Sequence, residues 1–225
     1  VVLLSLALLA SPADAQPMGP WLDTALGVAV DDADEELVDC PENYLRGGIH
    51  LTTAPDLYRI WFPERSWARP EAVEVISRAA EEMAWLAPHA DPLVIGDISK
   101  QGGGRIEPHM SHRGGADIDI SLYWDDARAI VGDYPGASPD RLDLETNWLL
   151  IESLLGSGYI DRILLDQANI DRLKAYTIDS GHLTEDEAEA IFPERSTRNR
   201  GAIGIVHHAP RHHEHMHVRV RCRAR

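Results

Sequence analysis

Cysteine is nearly absent: Cys40 and Cys222 are the only two in 225 residues. Two thiols cannot build a Cys-rich zinc site. Basic side chains are also scarce. Lys and Arg number 21 against 37 Asp and Glu, a formal net charge of −16. A surface of that sign repels phosphates, which argues against electrostatic binding to nucleic acid. Past residue 15 no apolar run is long enough to span a bilayer. There is no internal repeat and no nucleophile-elbow pattern. The acidic run DDADEE at 31–36 lacks the central Gly of a calcium loop, so it reads as a solvated face.

Residues 1–15, VVLLSLALLASPADA, are apolar and then small, ending in Ala13-x-Ala15. This reads as a truncated secretory signal peptide, its charged front missing, and predicts export to the periplasm. In an exported protein, two cysteines predict one disulfide tying the N-terminal segment to the end of the fold. Residues 16–45 read as an irregular acidic lead-in, and 46–225 as one globular domain with a hydrophobic core.

The pattern predicts helices over 69–87, 145–155, 169–177 and 185–192. Pro70 suits the first turn of the first helix, and Gly156 and Gly158 end the second. Strands are predicted at 92–99, 116–124, 159–165, 202–206 and 215–221. Helices and strands mix without a regular βαβ rhythm. The expected fold class is α+β, a mainly antiparallel sheet with flanking helices.

Six of the eleven histidines fall within HHAPRHHEHMHVRV, 207–220. Side chains alternate across a strand, so His215, His217 and Arg219 share one face, and Met216, Val218 and Val220 share the apolar one. HMSHRGGADIDI (109–120) repeats the device: Asp117 and Asp119 face one way, Ile118 and Ile120 the other. His109 and His112 precede them across Gly114-Gly115. A loop histidine, a strand aspartate and one C-terminal histidine make two His and one Asp, the set that leaves a catalytic zinc open to water. Each piece alone has a bland reading: a chance His-x-His, a salt-bridged Asp pair, a loose metal-sequestering tract. Together, each with apolar residues alternating against the polar ones, they point to a site on the sheet face.

SHRGGADIDI resembles the Ser-His-x-x-Gly-x-Asp-x-Asp-Ile motif of the penicillin-insensitive murein endopeptidases. These belong to the zinc peptidase superfamily of lysostaphin-type, D-Ala-D-Ala-type and Hedgehog-type domains. HHEHMHVRVRC (212–222) is similar to the family's second motif. RSWARPEAVEVI (65–76), GDIS (96–99) with GGG (102–104), and NWLLIESLL (147–155) resemble further family segments in the family's order. The resemblance implies one zinc per chain, held by His112, Asp119 and His217. It implies His215 as catalytic base or transition-state donor, with His109 and His212 lining the site. Asp117 matches an outer position, where a purely structural acceptor is an equal alternative, and Ser111 orients the loop. Glu214, three residues before His217, competes with His215 as base, although strand alternation turns it away. His207, His208 and His213 carry no assigned chemistry.

The chain departs from the family at Ala68, where the family has Gly, and at His213, commonly acidic. It also lacks the family's additional cysteines. The implied reaction is hydrolysis of peptidoglycan cross-links at D-alanyl-meso-diaminopimelate. Alternatives are a D-Ala-D-Ala carboxypeptidase or dipeptidase with the same site, a non-catalytic zinc or cell-wall-binding module, and an extracytoplasmic metal buffer.

Overall fold

The computed structural model describes residues 36–129, 138–193 and 205–224. The leader expected at 1–15 and residues 16–35 of the lead-in lie outside the described residues.

Four helices form where the periodicity places them. Helix α1, Pro70–Leu86, opens with Pro70 in its first turn and buries Ala72, Val75, Ile76, Ala79, Ala80 and Met83 along one stripe. Trp85 is not on that stripe; it is 81% exposed. Helix α2, Leu144–Leu155, is capped by Asp143, whose side chain accepts from the Thr146 amide. Asp166 caps α3, Gln167–Asp179, in the same way through the Ala168 amide. Thr184 and Glu187 form a capping box on α4, Glu185–Ile191.

The main sheet has six strands: β1 Tyr58–Ile60, β2 Leu93–Ile95, β3 Asp117–Ser121, β4 Ile160–Leu165, β5 Val206–His208 and β6 His215–Val220. Their spatial order is β5-β4-β6-β3-β2-β1. The sheet is mixed, which corrects the expectation of a mainly antiparallel one. The three central pairings are antiparallel, but both outer pairings, β1 with β2 and β4 with β5, are parallel. The cause is connectivity. Strands that pair in parallel need a crossover, usually helical. Helix α1 lies between β1 and β2 in the chain, and α3 and α4 lie between β4 and β5. In the described residues the strand expected at 202–206 is seen as Val206–His208, paired with Ile163–Leu165, so His207 and His208 sit on an edge strand. Residues 201–204 lie outside the described residues.

One face of the central strands makes the core. Ile118, Ile120, Met216, Val218 and Val220 are at most 1% exposed and join the buried residues of α1 and α2 in one cluster. The opposite face is left to the polar residues of β3 and β6. Asn147 of α2 anchors the turn after β3, accepting from the Tyr123 amide at 3.0 Å and donating to its carbonyl at 2.7 Å.

The described end of the lead-in is part of the fold. Leu37–Val38 pairs antiparallel with Cys222–Arg223, and Cys40 and Cys222 form the expected disulfide across 182 positions. Just beyond it the backbone comes very close to the loop carrying His109 and His112. A Cβ on Gly114 would stand 2.4 Å from the Pro41 carbonyl, and one on Gly103 would stand 2.6 Å from the Leu45 amide. Only glycine admits that approach. Arg69 adds hydrogen bonds to the carbonyls of Pro41 and Tyr44, both at 2.9 Å.

Because the disulfide closes so long a loop, reducing it should destabilise the fold by about 2–5 kcal/mol. Thermal unfolding with and without reductant, and of the double variant Cys40→Ser/Cys222→Ser, measures this. An unchanged unfolding temperature would mean that the bridge contributes nothing.

Candidate active site

The register of β3 against β6 sets the site. His217 stands opposite Asp119, His215 opposite Ser121 and Arg219 opposite Asp117. All six side chains alternate away from the core onto the same polar face. The loop before β3 then brings His109 and His112 over it.

His112 is fully buried. Its Nδ1 lies 3.2 Å from the Ile98 carbonyl, which can only accept, so Nδ1 carries the proton. In the neutral ring Nε2 therefore offers a lone pair. It is buried without a hydrogen-bond partner, 3.1 Å from Asp119 Oδ1. A lone pair facing a carboxylate oxygen is an arrangement that a cation would satisfy. His217 reaches the same oxygen: its Nδ1 is 3.0 Å from Asp119 Oδ1, and its Nε2 is 3.0 Å from Asp117 Oδ1. The ligand atoms of His109, His112 and Asp119 lie within 4.8 Å of one another. These donors, two or three imidazoles around one carboxylate, suit a divalent transition metal.

The charges respond to this crowding. Burial alone would raise the pKa of Asp119, but the imidazoles of His112, His217 and His215 hold it well below the usual carboxylate range. Burial works against charge on His217, yet its two carboxylates push it up to about 9. His215 goes the other way. Its ring lies 3.8 Å from Asp119 Oδ1, and burial, reinforced by His212 and His217, lowers it to about 4. It is neutral at physiological pH. His212 donates from Nδ1 to the Pro210 carbonyl at 3.0 Å and packs its ring 5.0 Å from that of His215. Burial lowers it as well.

Seven of the eight residues singled out from the sequence thus lie in one connected cluster: His109, His112, Asp117, Asp119, His212, His215 and His217. Glu214 sits in a bend just before β6, and its carboxylate meets His213 Nε2 at 3.2 Å. Sequence reasoning gave no role to Asp97 or Arg65. Asp97 Oδ2 is 2.7 Å from His109 Nε2 and 3.1 Å from an Arg65 guanidinium nitrogen. The available signal was GDIS and RSWARP, which resemble family segments in the family's order.

The comparison with known families decides what this cluster is similar to. Residues 44–132 match the family of penicillin-insensitive murein endopeptidases. The matched stretch carries Arg65, Asp97, His109, His112, Asp117 and Asp119. It ends before His215 and His217, which reach the site through the pairing of β6 with β3. The match bears out the resemblance read from SHRGGADIDI. The likeness is to murein endopeptidases, hydrolases that act on the peptidoglycan of the cell wall. No curated protein matches the chain. Among the described residues no helix is long and apolar enough to cross a membrane.

In the metal-free protein the two most strongly shifted histidines, His217 and His215, act on opposite sides of pH 6.5. His217 is raised, so its stabilisation is complete below about 6.5 and is lost as pH rises through about 9. His215 is depressed, so folding weakens as pH falls from 6.5 towards about 4. Denaturant unfolding of the metal-free protein should therefore show maximal stability near pH 6.5. A profile flat from pH 6.5 to 9 would contradict the position of His217 between two carboxylates.

Proposed function

We propose that this chain is an exported zinc endopeptidase that cleaves the D-alanyl-meso-diaminopimelate cross-links of periplasmic peptidoglycan. The observation that carries the reading is the partnerless Nε2 of buried His112, facing Asp119 Oδ1 beside His217 and a neutral His215. The peptidase domain is residues 46–225, delivered by the leader at 1–15.

In this reading His112, Asp119 and His217 hold one zinc ion. A zinc ion there supplies Lewis acidity to a water and to the scissile carbonyl. The remaining chemistry belongs to side chains. Asp117 keeps the Nε2 proton of His217, which leaves Nδ1 as the coordinating nitrogen once its own proton is displaced. His215, unprotonated, takes the proton of the attacking water and later returns it to the leaving amine. When protonated it donates to the tetrahedral oxyanion. His212 packs against His215 and restrains the orientation of its ring. Glu214 is the competing base, but its carboxylate is engaged by His213.

Cross-linked muropeptide dimers should be split to monomers by the zinc-loaded protein and left intact after chelation. His112→Ala and His217→Ala should each lose activity together with stoichiometric zinc. Cleavage insensitive to chelator, or either variant retaining full activity and zinc, would sink the proposal. Release of free D-Ala or a dipeptide in place of split dimers would instead mark a carboxypeptidase or dipeptidase. Metal binding without turnover would mark a binding module.

The choice of base has its own test. His215→Ala should lower kcat by roughly 10²–10⁴-fold with zinc retained, the usual size of a general acid–base contribution. Glu214→Gln should change kcat by much less. The opposite ranking would assign the proton transfer to Glu214.

A further inference from the structure

We propose that Arg65 and Asp97 are positioning residues: they set the tautomer and orientation of His109, so that His109 offers Nδ1 to the His112–Asp119 pair. This rests on the reading of that pair as a metal centre.

Asp97 is a carboxylate only 5% exposed. Both of its side-chain partners fall on one oxygen: Oδ2 is 2.7 Å from His109 Nε2 and 3.1 Å from Arg65. Its other oxygen, Oδ1, is buried with no hydrogen-bond partner. A purely structural role fits this poorly. A buried unpaired oxygen is costly, and an apolar residue of similar shape would avoid the cost. What the carboxylate achieves is specific to His109. Accepting the proton of Nε2 leaves Nδ1 as the ring nitrogen with a free lone pair. Arg65 compensates the carboxylate charge, so Asp97 stays ionised and an acceptor.

The backbone shows the same purpose. Asp97 is braced directly against Asp119: the Asp119 amide donates to the Asp97 carbonyl at 3.0 Å, and the Gly96 amide donates to the Asp119 carbonyl at 2.7 Å. The next residue, Ile98, supplies the carbonyl that takes the Nδ1 proton of His112. The amides of Ile98 and Ser99 both bond to the Arg65 carbonyl at 2.9 Å. Two consecutive residues thus fix the tautomers of both loop histidines, Asp97 by its side chain and Ile98 by its carbonyl. Arg65 anchors that stretch from both its main chain and its side chain.

Zinc affinity of the full chain, measured by competition with a chromophoric chelator, tests this. Asp97→Asn should weaken zinc binding by roughly 10–100-fold, the usual effect of losing a partner that orients a metal-binding histidine. Arg65→Gln should act in the same direction and less. In a His109→Ala background Asp97→Asn should cause no further loss. The visible spectrum of the cobalt-substituted protein should change alike in Asp97→Asn and His109→Ala. Wild-type affinity in Asp97→Asn, or an equal loss with and without His109, would overturn the proposal. So would a lowered unfolding temperature of metal-free Asp97→Asn that accounts for the loss regardless of His109. If the unaltered protein binds no zinc at all, the metal-centre reading itself fails, which separates the two.

Discussion

Five opposed residue pairs hold β3 against β6, from Asp117 facing Arg219 to Ser121 facing His215. A slip of one residue would move every side chain of β6 to the other face. His215 and His217 would then point into the core, and Met216 and Val218 into the site. Burial of Ile118, Ile120, Met216 and Val218 on the inner face forbids that slip, because each is fully buried. At about 25 cal/mol per Å² of apolar surface, turning four such side chains outward would cost several kcal/mol. The apolar half of each strand thus specifies the position of the polar half. That is how residues about a hundred positions apart in the chain face each other within hydrogen-bond distance.

The charges on the polar face are arranged from the centre outward. Asp97 has Arg65 beside it, and Asp117 has Arg219 at 3.8 Å. Asp119, between them, meets only the imidazoles of His112, His215 and His217 among the described residues. A buried carboxylate needs a compensating charge. The outer two have one fixed in the protein. The inner one has no arginine within ion-pair distance among the described residues; its compensating charge is His217, raised to about 9 between Asp117 and Asp119. With arginines placed on the two flanking carboxylates, the central one stands among imidazoles alone, the kind of donor set that could hold a metal ion.

Much of this was legible in the sequence because two periodicities coincide. In ADIDIS and HMHVRV the apolar residues recur every second position, and so do the ligand-type residues, which gives strand, face and site together. The helices were legible from their apolar spacing, with Pro70 at the start of the first and Gly156 and Gly158 after the second. Three features were hidden. The parallel edges of the sheet depend on where helices cross over, and three-residue strands such as Tyr58–Ile60 carry no usable period. The strand runs on through His207 and His208 because its pairing is dictated by Ile163–Leu165 on β4, not by local pattern. In the sequence Asp97 and Arg65 stand out only as parts of GDIS and RSWARPEAVEVI. Their relation to His109 exists through space, and no spacing along the chain encodes it.

The difference between His215 and Glu214 comes from the point where β6 begins. Glu214 precedes the strand, in the bend where its carbonyl accepts from the Leu122 amide at 3.2 Å. That hydrogen bond holds the chain against β3 just before alternation starts at His215. Glu214 is therefore used through its backbone, and its carboxylate is left to His213. His215, the first strand residue, inherits the polar face and the neighbourhood of Asp119. A cation bound beside Asp119 would add one more positive charge near a ring that burial already keeps neutral. It would lower the proton affinity of His215 further. The local geometry at the start of one strand thus places the histidine, and not the acid, on the face that carries Asp119.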